Sequence, residues 1–396
     1  MTEATSARPR GAFLARACLA LWLAAAAGLT AGCSWMPTWM GGSPSKASAA
    51  APLPEFKPAL TARIAWRKDI GSARGSYLQP AVLENAVFAA SAAGEVVRLG
   101  PANGEVVWRA DAKTKISGGV GSDGFIVAVG SPRGEVVTFG AEGKPMWRAA
   151  VQGEIQAPPL VGRGLVIVRA SDFRITAFDA ESGRRRWSYQ RAATPLTLRG
   201  PNELAFAGEF VVAGFPGGRL VALTTSNGAV RWDVAVSEPR GATEVERLAD
   251  VMGQPLVAAG DVCAASYQGR LACVEAANGA TRWARDLSAA TGPGGDEQKV
   301  YAVDSKSHLY AFSRTAGASA WQQQKLANRD LSAPLALRRA VVVGDFQGYV
   351  HFLSPEDGGF VARIELGSAI VATPRASGGG AIVQTQDGVV ALVTLE

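Results

Sequence analysis

The residue types that carry most protein chemistry are sparse in this chain of 396 residues. Its two histidines, His308 and His351, lie far apart in sequence, whereas a zinc site needs several convergent His or Cys ligands. The glycine-rich stretch GPGG at 292–295 lacks the Gly-Lys-Ser/Thr that follows in a phosphate-binding loop, so it predicts a plain turn. We therefore expect no catalytic residue, no metal and no cofactor. The chemistry that remains is that of the four cysteines: Cys18, Cys33, Cys263 and Cys273.

Cys33 lies at the end of a targeting segment. Three arginines among the first 16 residues form a positively charged start. The apolar run ACLALWLAAAAGL at 17–29 has the length of a signal-peptide core and is short for a transmembrane helix. The segment ends in LTAGC at 29–33, with small residues directly before the cysteine. These features predict that residues 1–32 are a signal peptide.

LTAGC resembles the lipobox of bacterial lipoproteins. In that family the cysteine is acylated and becomes the mature N-terminus, so the resemblance implies that Cys33 carries the lipid, and stable anchoring needs more than one acyl chain. Ser34 stands where an aspartate would resemble an inner-membrane retention signal, which implies the periplasmic face of the outer membrane. Residues 33–60, rich in Pro, Ser, Gly and Ala, predict a flexible tether. The alternative is ordinary cleavage near Ala31, with no role for Cys33.

Cys263 and Cys273 flank a predicted hairpin turn in DVCAASYQGRLACV. If Ser266 pairs with Arg270 across that turn, the two cysteines lie directly opposite each other on adjacent strands. At a non-hydrogen-bonded position the Cα atoms approach to about 4.5 Å, which a disulfide tolerates. The periplasm is oxidising, so the spacing predicts a bridge. The alternative is a pair of small, buried side chains that remain thiols.

The charge of the chain gives little support to nucleic-acid binding. The net charge is +6 and the isoelectric point is near 9.3, but the lysines and arginines are scattered. The densest run is RRR at 184–186, which we interpret as a solvated strand face.

A Gly-x-x-x-Trp motif recurs through the rest of the chain. The repeats that contain it must form the fold that positions the candidate residues. The motif ends at six tryptophans, spaced by about 40 residues, with short apolar runs and Gly-rich turns between them. A seventh copy has Ala362 in the tryptophan position, and an eighth stops at the C-terminus. The missing end of the eighth copy matches IAWRKDI around Trp66. The six complete motifs are Gly104/Trp108, Gly143/Trp147, Gly183/Trp187, Gly228/Trp232, Gly279/Trp283 and Gly317/Trp321.

This period predicts an all-β fold, an eight-bladed β-propeller over residues 61–396 with four antiparallel strands in each blade. The last blade takes its outer strand from the N-terminal end of the propeller, which closes the ring and removes free sheet edges. Glycine allows a positive-φ turn before the outer strand, and tryptophan buries a large flat surface between blades. We therefore interpret the motif as a docking device and not as a catalytic one.

The repeats DAESGRRRW and EAANGATRW resemble the Ala-x-Asp-x-x-Thr-Gly-x-x-x-Trp repeat of quinoprotein dehydrogenases and their relatives. That resemblance implies the eight-bladed fold, but it does not choose between an enzyme and a scaffold. The dehydrogenases are usually longer and carry an adjacent Cys-Cys disulfide, whereas no two cysteines are adjacent here. A dehydrogenase with a quinone cofactor is thus the less favoured alternative.

Two insertions mark the expected binding face of the ring. The longest spacings are 45 residues, from Trp187 to Trp232, and 51 residues, from Trp232 to Trp283. The extra residues fall within 188–206 and 233–256, and both segments join the outer strand of one blade to the first strand of the next. We expect both to emerge on one face, from neighbouring blades, where repeat proteins often bind partners.

The same two insertions resemble those of the BamB family, lipoproteins of the β-barrel assembly machinery. TPLTLRG at 194–200 and TEVERLADV at 243–251 look like the family's two contact segments for BamA, the barrel-forming component. The resemblance implies contacts through Leu196, Leu198 and Arg199. The alternative for the two leucines is that they only pack the loop onto the ring.

In the second insertion the resemblance carries over to Asp250. The family has another aspartate two residues further on, where this chain has Met252. Glu244, Glu246 and Arg247 are supporting candidates.

These observations predict a non-enzymatic, lipid-anchored scaffold of the outer membrane. It would bind BamA and other components of the barrel-assembly machinery and assist assembly and insertion of β-barrel outer-membrane proteins. Two ways of assisting stay open: it could hold the machinery's periplasmic domains in place, or it could offer strand edges to unfolded outer-membrane proteins. A propeller scaffold for another envelope process is the alternative. It would share the fold and the anchor but not the two loop motifs.

Overall fold

The computed structural model of the protein describes residues 49–192 and 196–396. Over these ranges the chain forms 32 β-strands and no helix, and the strands pair into eight four-stranded antiparallel sheets. Within the same ranges no helix is long and apolar enough to cross a membrane. The predicted eight-bladed propeller is therefore confirmed.

The first strand of the ring, β1 (Ala62–Asp69), belongs to the last blade, blade 8. Blades 1 to 4 follow β1 along the chain, and each is built from four consecutive strands. Blade 1 is β2 (Ala81–Leu83), β3 (Ala86–Ala90), β4 (Glu95–Leu99) and β5 (Val106–Asp111). Blade 2 is β6 (Val120–Ser122), β7 (Ile126–Gly130), β8 (Glu135–Gly140) and β9 (Pro145–Ala150). Blade 3 is β10 (Leu160–Gly162), β11 (Leu165–Arg169), β12 (Ile175–Asp179) and β13 (Arg185–Tyr189). Blade 4 is β14 (Leu204–Ala207), β15 (Phe210–Phe215), β16 (Arg219–Thr224) and β17 (Val230–Ala235).

The remaining four blades complete the ring. Blade 5 is β18 (Val251–Ala258), β19 (Asp261–Ser266), β20 (Gly269–Glu275) and β21 (Thr281–Leu287). Blade 6 is β22 (Gly294–Gly295), β23 (Lys299–Val303), β24 (Leu309–Ser313) and β25 (Ser319–Gln323). Blade 7 is β26 (Leu335–Leu337), β27 (Ala340–Gly344), β28 (Tyr349–Leu353) and β29 (Phe360–Glu365). Blade 8 is β30 (Arg375–Ser377), β31 (Gly380–Gln384) and β32 (Val389–Leu395), with β1 as its outer strand.

Blade 8 closes the ring as the sequence predicts. β1 pairs antiparallel with β32 from Ala62 opposite Leu395 to Asp69 opposite Val389. A single irregularity interrupts this register, between Ile64 and Trp66. Because the first and last strands share one sheet, the two ends of the ring are joined by a ladder of backbone hydrogen bonds.

The strand order gives the ring two different faces. The first strand of each blade lies innermost, beside the first strands of neighbouring blades. We call the face that carries the connections from an outer strand to the next inner strand the loop face. We call the opposite face, which carries the turn between the third and fourth strands, the turn face. All connections of one kind lie on one face, because the blades repeat the same antiparallel order.

Each glycine of the Gly-x-x-x-Trp motif lies beneath the tryptophan of the preceding blade. A Cβ atom added at Gly183 would lie 2.6 Å from Cδ2 of Trp147, and Gly183 has a φ of +70°. The indole N–H of Trp147 donates to the carbonyl of Ala180, 2.8 Å away in the next blade. Only glycine fits this close approach at a positive φ, so the predicted docking role between blades is confirmed. The same contact joins Trp66 to Gly104, Trp108 to Gly143, Trp187 to Gly228, Trp232 to Gly279, Trp283 to Gly317 and Trp321 to Gly358.

The hairpin of β19 and β20 contains the two cysteines whose pairing the sequence predicts. Cys263 lies directly opposite Cys273 in the ladder, with their Cα atoms 4.0 Å apart, and a disulfide joins them. Both side chains are buried in the core cluster between blades 5 and 6. The bridge therefore ties together two strands of one blade and does not link blades.

The last residues of the predicted tether lie against the ring. The N–H of Ala51 donates to the carbonyl of Ala327 at 2.8 Å, and Phe56 stacks on Phe360 with ring centroids 5.4 Å apart. Contact with the ring thus begins before the predicted boundary at residue 61, because this segment supplies apolar side chains of its own. The predicted signal peptide, Cys33 and the remaining tether up to residue 48 lie outside the described residues.

Candidate partner-binding site

Two long connections of the loop face contain the candidate partner-binding residues. The first loop, residues 190–203, joins β13 to β14, and the second loop, residues 236–250, joins β17 to β18. They flank blade 4 and emerge on the same face of the ring, as the two long spacings predict. Thr194 and Pro195, at the start of the contact segment TPLTLRG, lie outside the described residues.

The first loop presents two leucines and an arginine at the surface. Leu196 is 42% exposed, Leu198 is half-buried, and the side chain of Arg199 is 74% exposed. Arg199 Nη2 lies 2.8 Å from Glu154 Oε2, on the connection between blades 2 and 3. An exposed pair of this kind stabilises by about 0.2–1 kcal/mol, so it orients the guanidinium without burying it. Leu196 and Arg199 remain accessible to a partner.

Asp250 connects the two loops from a buried position. Its side chain is almost inaccessible, and its Oδ2 atom accepts a hydrogen bond from the N–H of Leu198 at 2.7 Å. Burial raises the pKa of Asp250, and hydrogen bonds from the N–H groups of Leu198 and Gly217, together with the charge of Arg169, oppose that rise. Asp250 therefore holds the first loop in place and does not present its carboxylate to the surface.

Arg169 supplies the positive charge behind Asp250. Its guanidinium lies 4.8 Å from the ring centroid of Phe215 and 5.1 Å from that of Phe173, and Nη1 donates to the carbonyl of Gly214. Burial lowers the pKa of Arg169 to about 9, and the charge of Asp250 partly offsets this effect. The two opposite charges, both buried, place polar groups directly beneath the first loop.

The second loop is organised by Glu246. Its Oε2 atom accepts hydrogen bonds from the N–H groups of Ala242 (2.8 Å) and Thr243 (3.1 Å), while the N–H of Glu246 donates to Thr243 Oγ1. This reciprocal pattern is that of a capping box. The backbone hydrogen bond from Thr243 is the main reason that the pKa of Glu246 is lowered. Glu246 thus maintains the shape of the turn.

Glu244 and Arg247 lie on the exposed side of the same turn. Their side chains approach to 3.8 Å, and the Nε of Arg247 donates to the carbonyl of Gly241. Val245, which lies between them, is 59% exposed. The second loop therefore offers an apolar side chain flanked by charges of both signs. Met252, which replaces the family's second aspartate, lies half-buried at the start of β18.

A polar network beneath the first loop ties its end across the ring axis. Glu203, buried at the end of the first loop, accepts hydrogen bonds at Oε2 from Gln79 Nε2 of the connection to blade 1 and from Arg375 Nη2 of blade 8, both at 3.0 Å. Arg375 also donates to Gln254 Oε1 of blade 5 at 3.0 Å. Sequence reasoning missed these residues, because their partners are more than 100 positions apart and carry no local motif.

A cavity of about 300 Å³ lies beside the first loop. Its lining includes Glu154, Phe173, Leu198 and Arg199. Among the described residues no group of three or more His, Cys, Asp or Glu side chains is placed to hold a metal ion. The described part of the site presents apolar side chains beside charges of both signs, a surface of a kind that suits contact with another protein.

Comparison with known proteins identifies one family. The family model described as "Outer membrane protein assembly factor BamB" matches residues 92–323. The chain is 42% identical over 345 residues to the outer membrane protein assembly factor BamB of Bordetella pertussis, with 87% of this chain and 89% of that protein covered. It is 44% identical over 339 residues to the factor of the same name in Burkholderia pseudomallei, with 85% and 89% covered.

A solved structure gives the same result. The crystal structure of BamB from Moraxella catarrhalis matches with a TM-score of 0.75 and 28% sequence identity, covering 83% of this chain and 99% of that one.

Proposed function

Because this chain belongs to the BamB family of outer membrane protein assembly factors, we propose that it is a scaffold protein that assists assembly of β-barrel proteins into the outer membrane. In this proposal it binds BamA, the barrel-forming component, through the first and second loops. The named relatives are assembly factors, so the proposal assigns no reaction to the chain. Cys33 carries the lipid that anchors it to the periplasmic face of the outer membrane.

The observation that supports BamA binding most strongly is the exposed segment 196–199 of the first loop, which Asp250 holds through the N–H of Leu198. Leu196 and Arg199 are accessible, while Leu198 is held from below by Asp250. A segment that is held in place before binding loses less conformational entropy when it binds, so its contacts yield more affinity. Arginine is enriched at the centres of protein interfaces, and the leucine side chains beside it gain free energy when a partner buries them.

The second loop supports a two-part contact surface. Its exposed residues Glu244, Val245 and Arg247 lie on the same face as the tip of the first loop, and Asp250 joins the two loops. Charges at the rim of an interface mainly set the association rate and its salt dependence. We therefore assign Leu196, Leu198 and Arg199 to the centre of the contact and Glu244 and Arg247 to its rim.

Co-purification from envelope extracts tests the proposal. The acylated wild-type protein, recovered under mild detergent, is expected to bring BamA and other barrel-assembly components with it. A variant with Leu196→Ala, Leu198→Ala and Arg199→Ala is expected to lose them while remaining folded. Phe125→Ala is the control, because Phe125 is a 78% exposed apolar residue on the opposite face. Recovery of a different envelope complex without barrel-assembly components would contradict the proposal.

A further inference from the structure

One of the eight seams between blades is built differently from the others. Seven seams carry a tryptophan whose ring covers a glycine of the next blade, with the indole N–H bonded to a carbonyl there. The seam between blades 7 and 8 has Ala362 in the tryptophan position, and its hydrophobic cluster contains no tryptophan among the described residues. In blade 8 the third and fourth strands are also not joined by a turn, because β1 and β32 come from opposite ends of the ring.

The segment that precedes β1 packs along this seam. Leu60 packs against the same hydrophobic cluster that contains Ala362. The N–H groups of Ala59 and Leu60 donate to the carbonyl of Val361 at 3.0 and 3.1 Å. Thr61 exchanges backbone hydrogen bonds with Glu396, at the C-terminal end of the chain. The place that a tryptophan and a turn fill in the other seams is thus taken by residues 59–61.

The segment then continues along the outer strand of blade 7. Phe56 stacks on Phe360, and the guanidinium of Arg363 lies 5.4 Å from the centroid of the Phe56 ring. Arg363 Nη1 also donates to the carbonyl of Pro54 at 3.1 Å. These contacts run from the turn-face end of β29 towards its loop-face end.

A buried arginine holds the far end of the segment. Arg329 Nη1 donates to the carbonyl of Ala51 at 2.9 Å, while its Nε donates to Asp345 Oδ2 at 2.8 Å. Arg329 and Asp345 are both buried, so the guanidinium has a fixed position from which to bind the segment. Ala51 in turn donates to Ala327, on the connection from blade 6 to blade 7. Residue 51 therefore lies on the loop face.

From these contacts we infer that residues 51–61 form a strap with two roles: they latch the seam that lacks a tryptophan, and they carry the chain from the turn face to the loop face. The second role makes the tether leave the ring on the face that carries the first and second loops. If Cys33 is the lipid anchor, as proposed above, the lipid is attached to the ring through its loop face. A tether too short to let the ring turn would then hold the loop face towards the membrane.

The tether of the natural protein is long enough to let the ring turn, so its point of exit does not fix the orientation by itself. The 18 residues from Cys33 to Ala50 span at most about 60 Å when fully extended. Any test of orientation therefore needs a shorter tether, while the latch itself is testable in the natural chain.

Amide hydrogen exchange of the acylated protein in detergent tests the latch. In the wild type, the amides of Ala51, Ala59, Leu60 and Thr61 are expected to be protected. Phe56→Ala with Leu60→Ala should make the strap and β29 exchange at least about tenfold faster, with blade 3 unchanged. Glu55→Ala with Lys57→Ala is the matched control, because both side chains are exposed in the same segment. Exchange of the wild-type strap as fast as an unstructured chain would overturn the latch.

Fluorescence quenching in vesicles tests the orientation. Deleting residues 36–47 leaves a tether of about 20 Å at full extension. Fluorophores are attached at Glu244→Cys on the loop face and Glu142→Cys on the turn face. In vesicles of phosphatidylethanolamine and phosphatidylglycerol with nitroxide-labelled lipid, the loop-face label is expected to lose more fluorescence. Equal or greater loss from the turn-face label would overturn the orientation. Failure to bind the vesicles would contradict the lipid anchor instead, with the exchange result still deciding the latch.

Discussion

At the residue scale, the structure gives Asp250 a different role from the one that the family resemblance implies. The family resemblance makes it a contact residue, but its carboxylate is buried and accepts the N–H of Leu198. A carboxylate in this position would influence the proposed partner contact only through the loop that it fixes. Its effect on binding therefore depends on the order of the first loop, and the replacement of the family's second aspartate by Met252 leaves this anchor intact.

Asp250→Ala is expected to lower the free energy of unfolding by about 1.5–3 kcal/mol, the usual worth of hydrogen bonds to a charged group. The substitution leaves the N–H of Leu198 without its acceptor and removes the carboxylate beside Arg169. Urea unfolding measures the loss. Asp286→Ala is the control, because Asp286 is 89% exposed and its pair with Arg270 should contribute less than about 1 kcal/mol. Equal losses for the two variants would contradict the anchoring role.

His351 is expected to make the stability depend on pH. Its Nε2 lies 3.0 Å from Asp345 Oδ2. Burial lowers the pKa of His351 below the ordinary 6.5; Asp345 opposes this effect, and the charges of Arg363 and Arg329 add to it. The unfolded chain then binds a proton more readily than the folded chain, so stability is full above about pH 6.5 and falls as the pH decreases. The loss is at most about 1.4 kcal/mol per pH unit.

Urea unfolding between pH 7.5 and pH 5.5 measures this dependence. His351→Gln keeps a donor for Asp345 but does not titrate, so its stability should fall less steeply over that interval. Identical slopes for the wild type and the variant would show that His351 does not contribute.

At the element scale, the contact between tryptophan and glycine sets the spacing of the blades. Gly183→Ala is expected to destabilise the protein in two ways, through strain at a φ of +70° and through a clash of Cβ with Trp147. Gly164→Ala is the matched control, since Gly164 has a φ of +73° but no heavy atom within 4 Å of the added Cβ. Thermal unfolding of the two variants should differ by about 1–3 kcal/mol, the cost of overpacking. Equal stabilities would contradict the docking role.

The elements that could be predicted from the sequence are those that repeat. Each blade is specified by its own short apolar strands, glycine turn and tryptophan, so the period of about 40 residues is enough to count the blades. The pairing of Cys263 with Cys273 is also local, because a tight hairpin fixes its register. The same local reasoning places the first and second loops on one face.

The parts that could not be predicted depend on contacts between distant residues. Glu203 meets Arg375 only when the ring is closed, and Asp250 is buried only because the first loop folds over it. The strap was missed because residues 51–60 have the composition of a linker. Its binding site on blade 7 becomes visible only with Ala362 and Arg363 in place.

At the scale of the whole molecule, anchoring is the first property to test. Cys33→Ala is expected to release the protein from the membrane into the soluble periplasmic fraction, because the acyl chains supply the binding free energy. Fractionation of cells after a high-salt wash, followed by detection of the protein, measures this. Ser34→Ala is the control and should remain in the membrane fraction. A Cys33→Ala protein that stays membrane-bound would show that acylation is not the anchor.

Scaffolding also requires that the loop face keeps its shape. The first loop is attached to the connection between blades 2 and 3 through Arg199 and Glu154, to the second loop through Asp250, and to blade 8 through Glu203 and Arg375. These attachments converge on one loop from several directions around the axis. In the proposed scaffolding role, the closed ring thus supports the first loop from several sides.

The affinity of the purified protein for purified BamA tests this role most directly. Calorimetric titration at fixed salt compares the wild type with the variant carrying Leu196→Ala, Leu198→Ala and Arg199→Ala, and with Phe125→Ala as control. Loss of a binding centre worth at least about 2 kcal/mol predicts a dissociation constant raised at least about 30-fold for the triple variant. The thermal midpoint of the triple variant and the affinity of Phe125→Ala should match the wild type. An unchanged affinity in the folded triple variant would contradict the assignment of the first loop as the BamA-binding site.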